Sequence, residues 1–328
     1  MRTTLFLTLA LATHPASAAV IKIDGSSTVF PVTEAVAEEF QKSKKGEVQV
    51  TVGISGTGGG FKKFCRGETD VQNASRPILK EEMEACKHAQ VEYFELPIAY
   101  DALTVVIHPE NKWAETMTIA DLKKIWEPES QGKITRWNQV RSEWPNVEIK
   151  LYGAGADSGT FDYFTEAVNG KSKKSRGDYT ASEDDNTLVQ GISRDKNALG
   201  YLPYSYYEAN KKKLKAVAID GGAKSPKKGA VFPSRESVEG GAYFPLSRPI
   251  FIYVSAKGLT KKEVREFTEF YIQEGGKLAA EVKYIPLPKK AYALAAEILK
   301  KGRKGTVFGG HSEIGLKIEE LLKRETRL

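Results

Sequence analysis

The sequence predicts an α/β protein built as two lobes with a hinge between them. Three observations carry that expectation. Stretches of strand period alternate along the chain with stretches of helical period, which implies helices layered on sheets. Two long apolar runs, 96–107 and 249–254, lie far apart in the chain and suit strands that cross between lobes. Three strand-to-helix turns are rich in glycine and hydroxyl side chains. With the crossing strands as hinge, lobe I is expected to hold 19–97 plus 252–328, and lobe II 98–251.

The first turn follows an alternating strand at Val20–Asp24. Gly25-Ser26-Ser27-Thr28 makes the turn, and Val29, Val32, Val36 and Phe40 then share one helical face, with Pro31 tolerated in the first helical turn. The second turn, Gly53 to Gly60, joins the strand Val48–Val52 to a helix bearing Phe61 and Phe64. Next come a short strand and polar loop over 70–77, kept extended by Pro77, and a helix over 78–87. A helix is expected over 119–125 with Thr118 as its cap, and a strand over 149–152. The third turn, 153–160, opens a helix carrying Phe161, Phe164, Thr165 and Val168. Asp184-Asp185-Asn186-Thr187 precedes a helix at 188–193. A strand over 198–202 and a helix over 204–212 follow. Residues 220–245 read as loop. Helices are expected at 261–274 and 291–301, and a charged helix in the tail over 312–327.

The chain opens with Met1-Arg2, an apolar run from Leu5 to Ala12, and Ala16-Ser17-Ala18. This pattern predicts a signal peptide over 1–18, cut after Ala18. No cysteine stands at the cleavage site, so no lipid anchor is expected, and no later stretch approaches the ~20 apolar residues of a membrane span. The expected location is a Gram-negative periplasm, with secretion outside the cell as the alternative. The formal charge is +7, but the basic runs at 171–174 and 211–213 lack interleaved aromatics, so a solvated surface rather than nucleic-acid binding is expected. Cys65 and Cys86 favour a disulfide in an oxidising compartment, with two buried thiols as the alternative.

The three turns supply both hydroxyl and main-chain N–H donors at helix starts, where partial positive charge favours an oxyanion. Candidate ligands are Ser27, Thr28, Thr57, Gly58, Ser158, Gly159 and Thr160, with Arg76 offering a planar fork to two oxygens of a tetrahedral anion. Taken singly, Ser27, Thr28, Asp157 and Ser158 are better explained as helix caps than as ligands; it is their joint pattern that points to a site. Enzyme motifs fail: no Gly-Lys-Ser/Thr completes a P-loop, no Gly-x-Ser-x-Gly elbow occurs, and His88, His108 and His311 lack metal-ligand spacing. No cofactor and no metal are expected.

The segments Asp24–Pro31, Ser55–Phe61, Asn73–Ile78, Asp157–Phe161, Tyr179–Asn186 and Leu246–Pro249 together resemble the phosphate-binding proteins of high-affinity phosphate ABC importers, in their cyanobacterial and marine branch. The resemblance covers nearly the whole chain after the signal peptide. It implies a Venus-flytrap fold of the periplasmic-binding-protein type, each lobe a mixed sheet flanked by helices. It also implies a monomer that holds inorganic phosphate in its cleft and delivers it to a membrane permease, and that is not an enzyme. By position, Ser27, Thr28, Val29 and Thr57 are expected to contact phosphate from lobe I, with Gly58 and Ser75 beside them; Ser158, Gly159 and Thr160 contact it from lobe II. Two departures stand out. Arg76 occupies the place of an aspartate that accepts the phosphate proton in enterobacterial members, and the arginine expected before the lobe II Ser-Gly-Thr is replaced near Ala154. Asp157 is the expected substitute acceptor, with Asp184 and Asp185 behind it. A receptor for sulfate or molybdate and a secreted phosphatase are the competing functions.

Overall fold

A computed structural model describes residues 18–326; the expected signal peptide lies almost wholly outside the described residues. The first third runs β1 (Ala19–Gly25), α1 (Phe30–Ser43), β2 (Val48–Val52), α2 (Gly56–Phe64), β3 (Val71–Ala74), α3 (Lys80–His88) and β4 (Tyr93–Ile107). It continues with β5 (Thr116–Thr118), α4 (Ile119–Trp126), β6 (Lys150–Ala154), α5 (Gly159–Asn169), β7 (Thr180–Ser182), α6 (Asp185–Ile192), β8 (Ala198–Pro203) and α7 (Tyr204–Asn210). Three short strands follow, β9 (Lys215–Ala216), β10 (Ala218–Asp220) and β11 (Ala230–Val231), then α8 (Arg235–Glu239) and β12 (Ser247–Ser255). The chain closes with α9 (Lys262–Glu281), β13 (Ile285–Pro286), α10 (Lys289–Lys301) and α11 (Ile318–Glu325).

The main sheet has the order β2-β1-β3-β12-β4-β8-β6-β7. Its two ends are parallel, β1 with β2 and β3, and β6 with β7 and β8. Its centre is antiparallel, where β12 lies between β3 and β4 and β4 pairs onward with β8. The parallel strands β1 and β2 alternate buried with exposed residues, which is why the period of two was legible there. The centre also explains the two long runs: every residue of β4 and β12 is buried. Their register shifts between Ile250, opposite Ala99, and Phe251, opposite Pro97. Pro97 has no N–H to give the ladder, and a bulge is where a sheet tolerates that.

Two cores flank the centre. On one side Val32, Val36 and Phe40 of α1 meet Phe267 and Tyr271 of α9 over Ile23, Leu96 and Ile252. On the other side Phe164 stacks on Tyr201 at 3.8 Å, with Trp126 edge-on to both. Each such aromatic buries enough apolar area to contribute roughly 2–3 kcal/mol before entropy is subtracted. Cys65, at the end of α2, is bonded to Cys86 on α3.

Several boundaries differ from expectation, three of them informatively. Helix α9 runs to Glu281, through Gly275 and Gly276, rather than stopping at 274. A Cβ at Gly276 would sit 2.8 Å from the Tyr292 ring of α10, so here glycine serves close helix packing and not termination. Residues 220–245 are not only loop, since β11 and α8 form there. The tail is helical only from Ile318; before it the chain turns at Ile314–Gly315, with Gly315 at φ +70°, and the hydroxyls of Tyr163 and Tyr100 engage the Gly315 N–H and the Leu316 carbonyl.

Candidate functional site

The three hydroxyl-rich turns converge because β6, reached from β1 and β2 through β3, β12, β4 and β8, runs antiparallel to them, so that the start of α5 faces the starts of α1 and α2. The Thr28 hydroxyl is fully buried and is not the cap of α1, whose N-cap is Val29 with no side-chain bond. Freed from capping, it lies 3.0 Å from the Thr160 hydroxyl on α5. Ser26 Oγ accepts the Thr28 N–H at 3.2 Å and fixes the turn. In the second turn Thr57 Oγ1 accepts the Ser75 N–H and lies 3.2 Å from the Ser75 hydroxyl. Gly58 donates its N–H to the Asp157 carbonyl at 2.9 Å, which joins the second turn to the third. In the third turn Ser158 is a true N-cap, its Oγ accepting the Thr160 N–H at 3.1 Å. Gly159 passes so close to the second turn that a Cβ would lie 2.5 Å from Thr57 Oγ1 and 2.6 Å from Ser75 Oγ. Ser27 and Val29 are buried beside Thr28.

The guanidinium that touches hydroxyls from both sides is Arg248, on β12. Its Nη2 donates to Thr160 Oγ1 at 2.8 Å and to Thr28 Oγ1 at 3.4 Å, and its Nη1 to the Gly159 carbonyl at 2.8 Å. Its Nε and Nη2 share Asp101 Oδ2, directly across the β12–β4 ladder. Burial pushes the Asp101 carboxyl above the usual carboxylate range, opposed chiefly by Arg248. Sequence reasoning did not single out Arg248 for the candidate site. The available signal was a charged residue inside an apolar strand, which must find a buried partner.

Arg76 is engaged mainly by carboxylates. It is buried, and its Nε donates to Asp162 Oδ2 at 2.6 Å, both terminal nitrogens donate to Glu82 at 2.8 Å, and Nη1 also reaches the Pro77 carbonyl. Four of the five N–H groups of a guanidinium are thereby taken. The remaining one is on Nη2, which faces Gly58. Asp157 is also engaged: its side chain is half exposed and pairs with Lys62 at 2.9 Å on the rim. Asp184 caps α6 through the Asn186 N–H and is exposed. Asp185 is the buried member of that pair. It faces the Ser27 hydroxyl and Arg248, its Oδ2 has no partner among the described residues, and burial pushes its carboxyl up to about 7. Two guanidiniums, Arg76 and Arg248, thus stand among four carboxylates: Glu82, Asp162, Asp101 and Asp185. Among the described residues no group of His, Cys, Asp and Glu side chains is arranged to hold a metal ion, and no helix is long and apolar enough to cross a membrane.

Helix starts facing one another across a continuous sheet define a class of binding protein, and the PBP superfamily domain model matches residues 12–274 of this chain. Protein SphX of Synechococcus elongatus is 54% identical over 310 residues, covering 94% of this chain and 90% of that protein. The phosphate-binding protein PstS of Staphylococcus saprophyticus is 39% identical over 276 residues, covering 83% of this chain and 82% of that one. A solved substrate-binding protein assigned to a phosphate ABC transporter of Clostridium perfringens, with bound phosphate, aligns with a TM-score of 0.67 at 27% identity, covering 82% of this chain and all of that one. The chain belongs to the PBP superfamily and, within it, to the Pst-type phosphate-binding proteins.

Proposed function

We propose that this protein binds inorganic phosphate outside the cytoplasm and hands it to a phosphate ABC permease as a monomeric receptor with no catalytic step. The observation that carries this reading is the meeting of Thr28 and Thr160 under one guanidinium, Arg248. The lobes are 19–97 plus 252–328 and 98–251, and the register break at Pro97–Ala99 opposite Ile250–Phe251 supports that division. In this reading the lobes part about β4 and β12, phosphate enters, and closure brings the start of α5 onto the starts of α1 and α2.

The ligand set is Ser27, Thr28, Val29, Thr57 and Ser75 from lobe I, and Ser158, Gly159, Thr160 and Arg248 from lobe II; Gly58, whose N–H is held by the Asp157 carbonyl, lines the site without bonding the ion. Hydroxyls and helix-start N–H groups supply most of the bonds, because both arginines are already neutralised by carboxylates. A site poor in free positive charge suits a protonated oxyanion better than a fully ionised one. Asp185, and not Asp157, is the acceptor for the phosphate proton: it is buried, adjoins Ser27 and Arg248, and has a free oxygen. A carboxylate there accepts from P–O–H and repels an anion with no proton to give, such as sulfate.

Calorimetric titration with phosphate and with sulfate tests the reading. Micromolar or tighter phosphate binding, about 8 kcal/mol or more, with sulfate far weaker is expected. Equal or tighter sulfate binding, or turnover of a phosphomonoester, would overturn it.

A further inference from the structure

We propose that Arg76 and Asp162 form the latch that sets how long the closed state lasts. The proposal rests on the two-lobed reading above and goes beyond it, because neither residue needs to touch the ligand. Arg76 is fixed within lobe I before closure. Both of its terminal nitrogens are held by Glu82, its guanidinium lies over the Phe61 ring at 5.8 Å, and the Cys65–Cys86 bond ties α2 to the helix that carries Glu82. Only Nε reaches out of that frame, and it meets Asp162 Oδ2 at 2.6 Å.

Asp162 belongs to the first turn of α5, two residues after Thr160. The segment that brings hydroxyls to the ligand therefore also brings this carboxylate to Arg76. In the closed arrangement Asp162 is 2% exposed and its other oxygen, Oδ1, has no partner among the described residues. A carboxylate buried this way is held in place by its one ion pair, and that pair exists only while the lobes are together. The rim pair Lys62–Asp157 also spans the lobes, but both side chains are about half exposed or more, and solvent screens it.

A contact made only after closure slows release without speeding capture. Asp162→Asn leaves Arg76 and Glu82 as a neutral pair, so the fold is expected to persist. Stopped-flow tryptophan fluorescence with inorganic phosphate should show release faster by about tenfold or more, an unchanged association rate, and an unchanged melting point of the unliganded protein. Glu82→Gln should behave in the opposite way, lowering the unliganded melting point with no faster release. An unchanged release rate in Asp162→Asn, a change confined to association, or a lowered unliganded melting point overturns the latch. So does an open unliganded structure of the unaltered protein in which Arg76 still bonds Asp162. Failure of the unaltered protein to bind phosphate would strike the proposed function itself and is read separately.

Discussion

The hydroxyl of Thr28 lies 3.0 Å from that of Thr160, a residue 132 positions further along the chain, and Arg248 donates to both. Thr28 ends the first strand's turn and Thr160 opens α5. Their contact is the point at which the two sides of the molecule read each other. In the proposed reading an oxyanion makes its bonds to the same three groups.

Arg248→Lys is therefore expected to weaken phosphate binding severely. Lysine keeps the charge but loses the fork, and charge-assisted bonds contribute roughly 1.5–3 kcal/mol each. A rise in Kd on the order of 100-fold is expected by calorimetry. Arg248→Met should in addition lower stability by about 3–5 kcal/mol in denaturant titrations, because it leaves Asp101 buried without its cation.

Gly159→Ala separates closure from folding. The added methyl would lie 2.5 Å from Thr57 Oγ1 and 2.6 Å from Ser75 Oγ, so the third turn cannot seat on the second. The unliganded protein should keep its melting point while Kd rises by about tenfold or more. A lowered unliganded melting point with intact affinity would place the Gly159 contact in the fold rather than in closure.

Much of this was legible in the sequence, for identifiable reasons. Ser27, Thr28, Thr57, Ser158 and Thr160 stood out because hydroxyls recur beside glycine at three strand-to-helix turns, although each alone could cap a helix, as Ser158 does. The sheet was legible because its central strands β4 and β12 are buried throughout, while the outer β1 and β2 alternate buried with exposed residues. Arg248 stands one residue before the apolar run 249–254 and was passed over with it, and its partner Asp101 is visible only once β12 and β4 are in register. Arg76 reads as a ligand from its place in a site loop; its carboxylates, Glu82 and Asp162, become visible only on two other helices. Asp157 misled by adjacency: it neighbours Ser158 in sequence, yet its side chain points to the rim.

Asp185 is expected to govern both pH dependence and selectivity. Its carboxyl is raised by burial to about 7, against an ordinary 3.8, so the folded state binds this proton more tightly than the unfolded chain does. Its contribution to stability is greatest below the ordinary value, falls as pH rises towards about 7, and is flat above that. The total change is on the order of 4 kcal/mol at most. Asp185→Asn should flatten this slope in denaturant titrations of the unliganded protein across that pH interval. The same variant should narrow the gap between phosphate and sulfate, since an amide both accepts and donates. Asp157→Asn should leave that gap unchanged, because an exposed pair such as Lys62–Asp157 contributes about 0–1 kcal/mol.

Reduction of the Cys65–Cys86 bond releases a loop of 21 residues. In the chain-entropy account such a loop contributes about 3 kcal/mol. Calorimetric melts in the presence of reductant should show a lower transition by several degrees, and phosphate at saturation should recover part of the loss by mass action.

The central claim is that hydroxyl turns from both lobes, with Arg248, enclose one tetrahedral oxyanion. Crystals grown with phosphate test it most directly. The account predicts a single ion within hydrogen-bond reach of Thr28, Thr160 and Arg248, with the starts of α1, α2 and α5 pointing at it. An ion bound at another face of the molecule, or held by Lys62 and Asp157 at the rim with Arg248 out of reach, would contradict it.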